Sequence, residues 1–165
     1  MTRIKRNISE SKALLARVMM PQDANMAGNV FGGTILKMVD EISFVSATRH
    51  ARTNVVTASL DKMDFHSPVH IGDLVTLYSI VNAAWRSSME VGVKVTAENV
   101  RTGEVRHTGS CYLTVVALDG NGKPTEIPEL VLETAEDARR NREANERRKR
   151  RLEDMSSRDA RLGKA

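Results

Sequence analysis

The chain has 165 residues, a length typical of one domain of ordinary size. Hydrophobic residues make up 41% of it, and with the 10 glycines the apolar share is about 47%, which is normal for a globular protein and excludes disorder throughout. The 25 basic and 21 acidic side chains leave a net charge of only +4. A single cysteine excludes an internal disulfide and any cluster of cysteine ligands for a metal.

The basic start of the chain does not lead into a secretory signal, because Glu10, Lys12 and Arg17 interrupt the apolar stretch that such a signal needs. No run of uncharged apolar residues reaches the roughly 18 that indicate a membrane-spanning helix. The lone cysteine favours a reducing compartment. We therefore expect a cytoplasmic protein with no membrane partner.

The first two predicted elements are a strand and a long helix. Residues 12–20 are few, mostly apolar and followed by a proline, which favours a strand. After a loop rich in Asn and Gly, Thr34 can cap a helix that runs to Arg49. This helix has only a narrow polar stripe, which contains Lys37 and Glu41, so we expect a sheet to wrap around it.

Four long segments rich in β-forming residues come next, separated by turn-like residues. Residues 89–96 alternate strictly between apolar and other types, as a strand with one buried face does. The order of one strand, one buried helix and four strands predicts an α+β fold, in which a mostly antiparallel five-stranded sheet wraps a long central helix. The last four predicted strands are residues 54–65, 73–84, 87–99 and 104–118.

A change in composition divides the chain into a domain of residues 1–128 and a charged tail of residues 129–165. In the tail 20 of 37 residues are charged, and pairs such as Glu143 with Arg147 have the i,i+4 spacing that supports a helix. We expect the tail to be helical and solvated. Its basic run at residues 147–151 lacks an aromatic platform or a binding motif, so we expect no specific nucleic acid partner.

Gly32 and Gly33 stand directly before the predicted helix. The N–H groups at a helix start have no acceptor within the helix, and glycines leave them uncovered for an anionic oxygen. The pair is therefore an oxyanion hole in outline. The alternative is a flexible loop before a capped helix.

Asp40 lies between apolar positions on the helical wheel, whereas Glu41 lies in the polar stripe beside Lys37. We therefore expect the Asp40 carboxylate to be partly desolvated, which suits a general base or a nucleophile. A hydrogen-bonded structural role is the alternative. Glu41 is interpreted as a surface charge.

The other reactive side chains give weaker signals. The four histidines are not spaced as metal ligands, and we expect no metal site. Cys111 lies in the middle of a predicted strand and has no basic neighbour to activate it, so it is interpreted as a core residue.

Five sequence blocks stand in order between about residues 10 and 130. They are P-x-x-x-N-x-x-G-x-x-F-G-G from Pro21, M-V-D-E from Met38, V-V-T-A-S from Val55, D-F-x-x-P-V-x-x-G-D from Asp64 and S-S-M-E-V from Ser87. Together they resemble the hot-dog-fold acyl-CoA thioesterases of the cytosolic acyl-CoA hydrolase type. The order of elements predicted above is the architecture of that family.

The resemblance implies roles for the matching residues. Asn25 matches the loop asparagine that orients water or the carbonyl, Asp40 the general base or nucleophile, and Thr57 the threonine that supports them. Gly32 and Gly33 match the helix start at which the thioester oxygen docks.

The last block adds two residues and one departure. Ser87 and Ser88 are assigned to substrate binding, and Trp85 stands where the family usually has glycine. This departure bears on the packing of the acyl chain or of CoA, and not on the reaction.

The implied reaction is hydrolysis of an acyl-CoA thioester to a carboxylic (fatty) acid and CoA, with no metal or organic cofactor. A hot-dog dehydratase or hydratase is an alternative, suggested by His66 and the nearby acid Glu41, although the further histidine signature of such enzymes is absent. A third alternative is a non-catalytic module that binds CoA or RNA through the basic tail.

Helix geometry predicts how the chain assembles. Seven residues separate Gly33 from Asp40, so they lie about 10 Å apart along the axis, too far for both to touch one thioester. We therefore expect a site shared between two chains, with a C2 homodimer as the minimum unit. The resemblance implies further assembly, commonly a hexamer built as a trimer of dimers.

Overall fold

The computed structural model describes residues 3–161, with side chains as far as residue 157. The predicted order of strand, helix and four strands is present within these residues, with two further short strands and a second helix. The elements are β1 (Lys5–Asn7), β2 (Ala13–Val18), α1 (Gly32–Ala51), β3 (Asn54–Leu60), β4 (Leu74–Ala84), β5 (Ser88–Asn99), β6 (Glu104–Leu118), β7 (Glu129–Val131) and α2 (Ala135–Arg161).

Five strands form one antiparallel sheet in the order β2-β4-β5-β6-β3, so β2 and β3 are its edges. The alternation in β5 places Met89, Val91 and Val93 on the inner face, where they are buried. Helix α1 lies against that face. The predicted α+β hot-dog architecture, a long helix wrapped by a curled five-stranded sheet, is confirmed.

Helix α1 supplies one side of the core and begins earlier than predicted. Its buried apolar residues include Met38, Val39 and Ile42. The Thr34 N–H donates to the Phe31 carbonyl at 2.9 Å, which closes the first turn before Thr34 and makes Phe31 the N-cap. The two glycines therefore lie inside the helix rather than before it.

The charged tail forms helix α2, but one face of this helix is packed rather than solvated. Asn141 donates to the Asn82 carbonyl at 3.0 Å, and Ala144 is fully buried. The Arg148 guanidinium lies 4.1 Å from the ring centre of Trp85. The high charge density of the tail predicts a solvated helix. It does not show which residues of that helix contact the sheet, so the sequence did not reveal this packed face.

The contact between α2 and the outer face of the sheet is centred on Glu90 of β5, whose carboxylate is fully buried. Arg147 binds it at 2.7 Å and also lies 3.6 Å from the ring centre of Tyr112. Arg151 bridges Glu90 at 3.2 Å and Asp61 at 2.6 Å. Three arginines of the basic run therefore contact the sheet side of the molecule.

The segment after residue 128 is tied to the rest of the chain by β7 as well as by α2. β7 pairs in parallel with β1, near the start of the chain. The division of the chain at residue 128 stays a prediction. Neither α1 nor α2, over the part of the chain that the structure describes, is long and apolar enough to cross a membrane.

His50 makes the stability pH-dependent. It lies fully buried near the end of α1, with Nε2 3.0 Å from the Pro128 carbonyl, and burial lowers the pKa of its imidazole. The unfolded chain therefore takes up a proton as the pH falls below about 6.5, whereas the folded chain stays neutral until a lower pH. The contribution of His50 to the stability of the fold is therefore fully present above about pH 6.5 and decreases below it.

We expect the free energy of unfolding to fall by up to about 1.4 kcal/mol per pH unit in this window. Urea titrations between pH 7.5 and 5.5 measure it. The His50→Gln variant should lose this part of the pH dependence, and the exposed His66→Gln control should keep it. Equal pH dependence in parent and His50→Gln would contradict the assignment.

Arg147→Ala should destabilise the fold by about 3 kcal/mol, because it leaves the buried Glu90 carboxylate short of a partner. Arg150→Ala is the matched control: its side chain is 70% exposed and lies 4.0 Å from Glu146, so the cost should stay below about 1 kcal/mol. Urea unfolding of both variants tests this. Equal stability would mean that α2 is solvated, as the sequence alone predicts.

Candidate active site

The loop of residues 24–31 is a tight turn rather than a flexible segment. The Asn25 N–H donates to the Asn29 carbonyl at 2.7 Å, and the Gly28 N–H donates to the Asn25 carbonyl at 3.0 Å. Gly28 has a φ of +81°, which residues with side chains rarely adopt. Asn29 also forms a bridge with His70, which joins the loop to the segment before β4.

The side chain of Asn25 is oriented by this turn. Its Oδ1 accepts hydrogen bonds from the N–H groups of Ala27 at 2.9 Å and Asn29 at 3.2 Å. Its Nδ2 has no hydrogen-bond partner among the described residues, and the residue is half-buried. Asn25 can therefore donate to a ligand oxygen.

Gly32 and Gly33 form the first turn of α1. The Phe31 N–H donates to the Asp23 carbonyl at 2.8 Å, which fixes where the chain enters the helix. A Cβ on Gly33 would lie 2.6 Å from Cε1 of Phe31, so a larger residue at position 33 would displace the Phe31 ring. The N–H groups of both glycines have no acceptor within the helix and lie at its positive end, where they can hold an anionic oxygen.

Two buried aspartates, which the sequence analysis missed, brace this loop. Asp23 binds Arg17 at 2.6 Å, and Asp73 binds Arg106 at 2.5 Å. Asp73 also accepts the His70 N–H at 2.9 Å. The sequence did contain a signal for both: Asp23 stands two residues after Pro21, and Asp73 directly follows Gly72, which are positions where aspartate commonly stabilises a turn.

Asp40 of α1 and Thr57 of β3 meet across 17 residues of sequence. The Thr57 hydroxyl donates to Asp40 Oδ1 at 2.7 Å, which orients the carboxylate and leaves Oδ2 for another donor. A cavity of about 600 Å³ lies beside the pair. Its other walls are mostly apolar and consist of Glu41, Phe44, Val55, Val56 and Val115.

Asp40 is exposed in the single chain, not partly desolvated as the helical wheel predicted. Its apolar neighbours on the wheel, Leu36 and Phe44, are themselves 36% and 50% exposed. The sheet covers the opposite side of α1 and leaves this side open, which a wheel cannot show. Glu41 is a surface charge 3.8 Å from Lys37, as interpreted.

Ser87 and Ser88 lie away from Asp40 within one chain. Ser88 pairs with Val116, which pairs with Val56 of β3, so two strand spacings, about 10 Å, separate it from β3. Its register puts it on the face opposite that of Thr57. Their assignment to substrate binding stays a prediction.

Trp85 supports α2. Its Nε1 donates to Asn145 Oδ1 at 3.0 Å, and its ring lies beneath Arg148. The replacement of the family's usual glycine therefore coincides with packing of the C-terminal helix.

The remaining candidates do not form a second reactive cluster. His66 is exposed with its ring 5.7 Å from that of His107, whereas Glu41 pairs with Lys37. Burial raises the pKa of the Cys111 thiol to about 12, which suits the expected core residue. No three His, Cys, Asp or Glu side chains of the described chain are grouped to hold a metal.

Comparison with known proteins defines the family. The model of the thioesterase superfamily matches residues 27–104. The uncharacterized acyl-CoA thioester hydrolase YkhA of Bacillus subtilis is 44% identical over 128 residues, which cover 78% of this chain and 74% of the relative. The chain therefore belongs to the thioesterase superfamily. The cytosolic acyl coenzyme A thioester hydrolase of Homo sapiens is a further relative, 33% identical over 135 residues, which cover 81% of this chain and 36% of the relative.

Solved structures agree. The crystal structure of an apo-hexameric acyl-CoA thioesterase is 37% identical with a TM-score of 0.89 and covers 92% of this chain and 97% of its own. The acyl-CoA hydrolase of Staphylococcus aureus, in complex with butyryl coenzyme A, coenzyme A and coenzyme A disulfide, is 35% identical with a TM-score of 0.85, and 96% and 99% of the two chains are covered. Structures of its variants replace one asparagine, one aspartate and one threonine by alanine.

Proposed function

We propose that this protein hydrolyses acyl-CoA thioesters to a carboxylic acid and CoA, with Asp40 as general base or nucleophile. The observation that carries the proposal is the 2.7 Å hydrogen bond from Thr57 to Asp40 beside a largely apolar cavity. The carboxylate is held in one orientation with one oxygen free. Apolar walls next to it suit an acyl chain.

The variants of the Staphylococcus aureus enzyme support the assignment of Asn25, Asp40 and Thr57 to the site. Its altered asparagine and aspartate are 15 positions apart, and its aspartate and threonine are 17 apart. Asn25, Asp40 and Thr57 have the same two spacings. Their roles here rest on this match together with the geometry.

The proposed chemistry uses only these groups and water. As a general base, Asp40 removes a proton from water as the water attacks the carbonyl carbon. As a nucleophile, Asp40 attacks that carbon itself, and water then hydrolyses the resulting acyl anhydride to release the acid and restore the carboxylate. The N–H groups of Gly32 and Gly33 stabilise the oxyanion, and Asn25 Nδ2 orients the water or the carbonyl. Collapse of the tetrahedral intermediate breaks the C–S bond, and the CoA thiolate takes up the proton that the hydrolytic water loses, through Asp40 in the first route and through solvent in the second. Every step is supplied by carboxylate, amide and water, so we propose that no metal or organic cofactor takes part.

The site requires a second copy of the chain. Helix α1 is uninterrupted from Gly33 to Asp40, which places them about 10 Å apart along the axis. The open side of α1 beside Asp40 is where a partner would desolvate the carboxylate. We propose a C2 homodimer with two shared sites, further assembled as a trimer of dimers, as the hexameric structural relatives suggest. The buried, unpaired Cys111 suits a cytoplasmic location.

Asp40→Asn should lower kcat by about 10²–10⁴-fold, because it removes the general base. Release of free thiol from a panel of acyl-CoA substrates measures it, and also separates hydrolysis from hydration or binding alone, neither of which frees a thiol. Glu41→Gln, on the adjacent exposed carboxylate, should stay within a few-fold of the parent. An Asp40→Asn enzyme of nearly parental activity would refute the assignment.

Mixing two inactive variants tests the shared site. When Asn25→Ala and Asp40→Asn chains exchange subunits at random, half of the dimers are mixed, and each holds one intact site if Asn25 and Asp40 come from different chains. About a quarter of parental thiol release should return. If mixed dimers form and activity stays absent, both residues act within one chain.

A further inference from the structure

We infer that the last turns of α2 form a clasp that reaches across the edge strand β3 and packs on a second copy of the chain. The inference rests on the homodimer of the proposed function. It concerns a surface that takes no part in the chemistry.

The path of α2 over the sheet can be read from its contacts. Asn141 contacts β4, Arg147 contacts Glu90 of β5, and Arg151 reaches Asp61, which directly follows β3. Ten residues from 141 to 151 rise about 15 Å, and the three spacings from β4 to β3 span about 14 Å. The helix therefore crosses the strands nearly at right angles and arrives over the sheet edge at Arg151.

The helix then continues beyond that edge. Residues 152–161 add about 15 Å, the width of about three more strands. Among residues 3–161, no strand of this sheet lies beyond β3, because β3 pairs there only with β6.

The overhanging part carries an apolar surface on the side that faces the sheet. The packed positions Asn141, Ala144, Arg148 and Arg151 follow a spacing of three and four residues, and Met155 is the next position of this stripe. Leu152 lies four residues after Arg148 on the same side. These are the two large apolar residues of α2, and they are 53% and 61% exposed for Leu152 and Met155.

The composition of the edge strand β3 indicates that a second copy of the chain covers Leu152 and Met155. β3 has no charged residue and no proline, the devices that normally protect a sheet edge, whereas the other edge, β2, contains Arg17. A second copy paired through β3 would continue the sheet directly beneath the overhang. By two-fold symmetry each chain places its Leu152 and Met155 on its partner, so one dimer has two clasps.

Subunit exchange between differently labelled full-length chains tests the clasp. The double variant Leu152→Ala with Met155→Ala should exchange about 10–100-fold faster than the parent, because four apolar contacts per dimer are lost. Lys149→Ala with Arg150→Ala, on the exposed side of the same helix, should stay within twofold. The inference would be overturned if the Leu152→Ala, Met155→Ala variant exchanged subunits within twofold of the parental rate. It would also be overturned if this variant lost a hexameric assembly while subunit exchange within its dimers kept the parental rate.

Labelling with a maleimide gives a second readout that does not depend on weakened assembly. A thiol introduced by Met155→Cys should react at least about tenfold more slowly than one introduced by Arg150→Cys, and Cys111 stays silent because it is buried. Equal rates would show that Met155 is uncovered and would also overturn the clasp. A monomeric parent would refute the dimer of the proposed function, whereas a dimeric, thiol-releasing parent with unaffected variants refutes the clasp alone.

Discussion

The length of one unbroken helix constrains the rest of this protein. Helix α1 presents unpaired N–H groups at Gly32 and Gly33, but its acid, Asp40, comes two turns later. A straight helix cannot bring its own start and middle to one substrate atom. The same helix leaves an apolar side uncovered around Phe44. In the mechanism we propose, a second chain therefore has two roles: it completes the group of catalytic residues, and it removes the Asp40 carboxylate from water.

Charge, rather than apolar area, attaches the C-terminal helix. Its sheet-facing stripe is made of asparagine, alanine and arginine, and the buried Glu90 gives the arginines a fixed target. Such an attachment is specific, because a guanidinium pair on a carboxylate fits few geometries. The attachment also depends on every partner of Glu90 being present, since a buried carboxylate that loses a partner destabilises the fold. The helix direction toward the edge at β3 follows from where these arginines are.

The sequence predicted the elements well because their patterns are local. The alternation in residues 89–96 and the narrow polar stripe of α1 both reflect one buried face. The burial of Glu90 was not predicted, since alternation cannot show that another element covers the outer face of the sheet. Asp40 was predicted to be partly desolvated, since a helical wheel gives the neighbours along a helix and not the side that a sheet covers. The link from Asp40 to Thr57 came through the family resemblance, because no local pattern joins residues on different elements.

The buried Glu90 also orders events during synthesis. Its main partner, Arg147, follows it by 57 residues, and all five strands of the sheet are complete at Leu118 before that arginine exists. At about 5–20 residues per second, the growing chain spends roughly 3–11 s between the two. Throughout that time the carboxylate is without its main partner, so the outer face of the sheet, once its last strand has been made, stays hydrated until α2 follows. Closure of α2 is then the late step that expels this water, and the molecule acquires its second covered face only as the end of the chain is made.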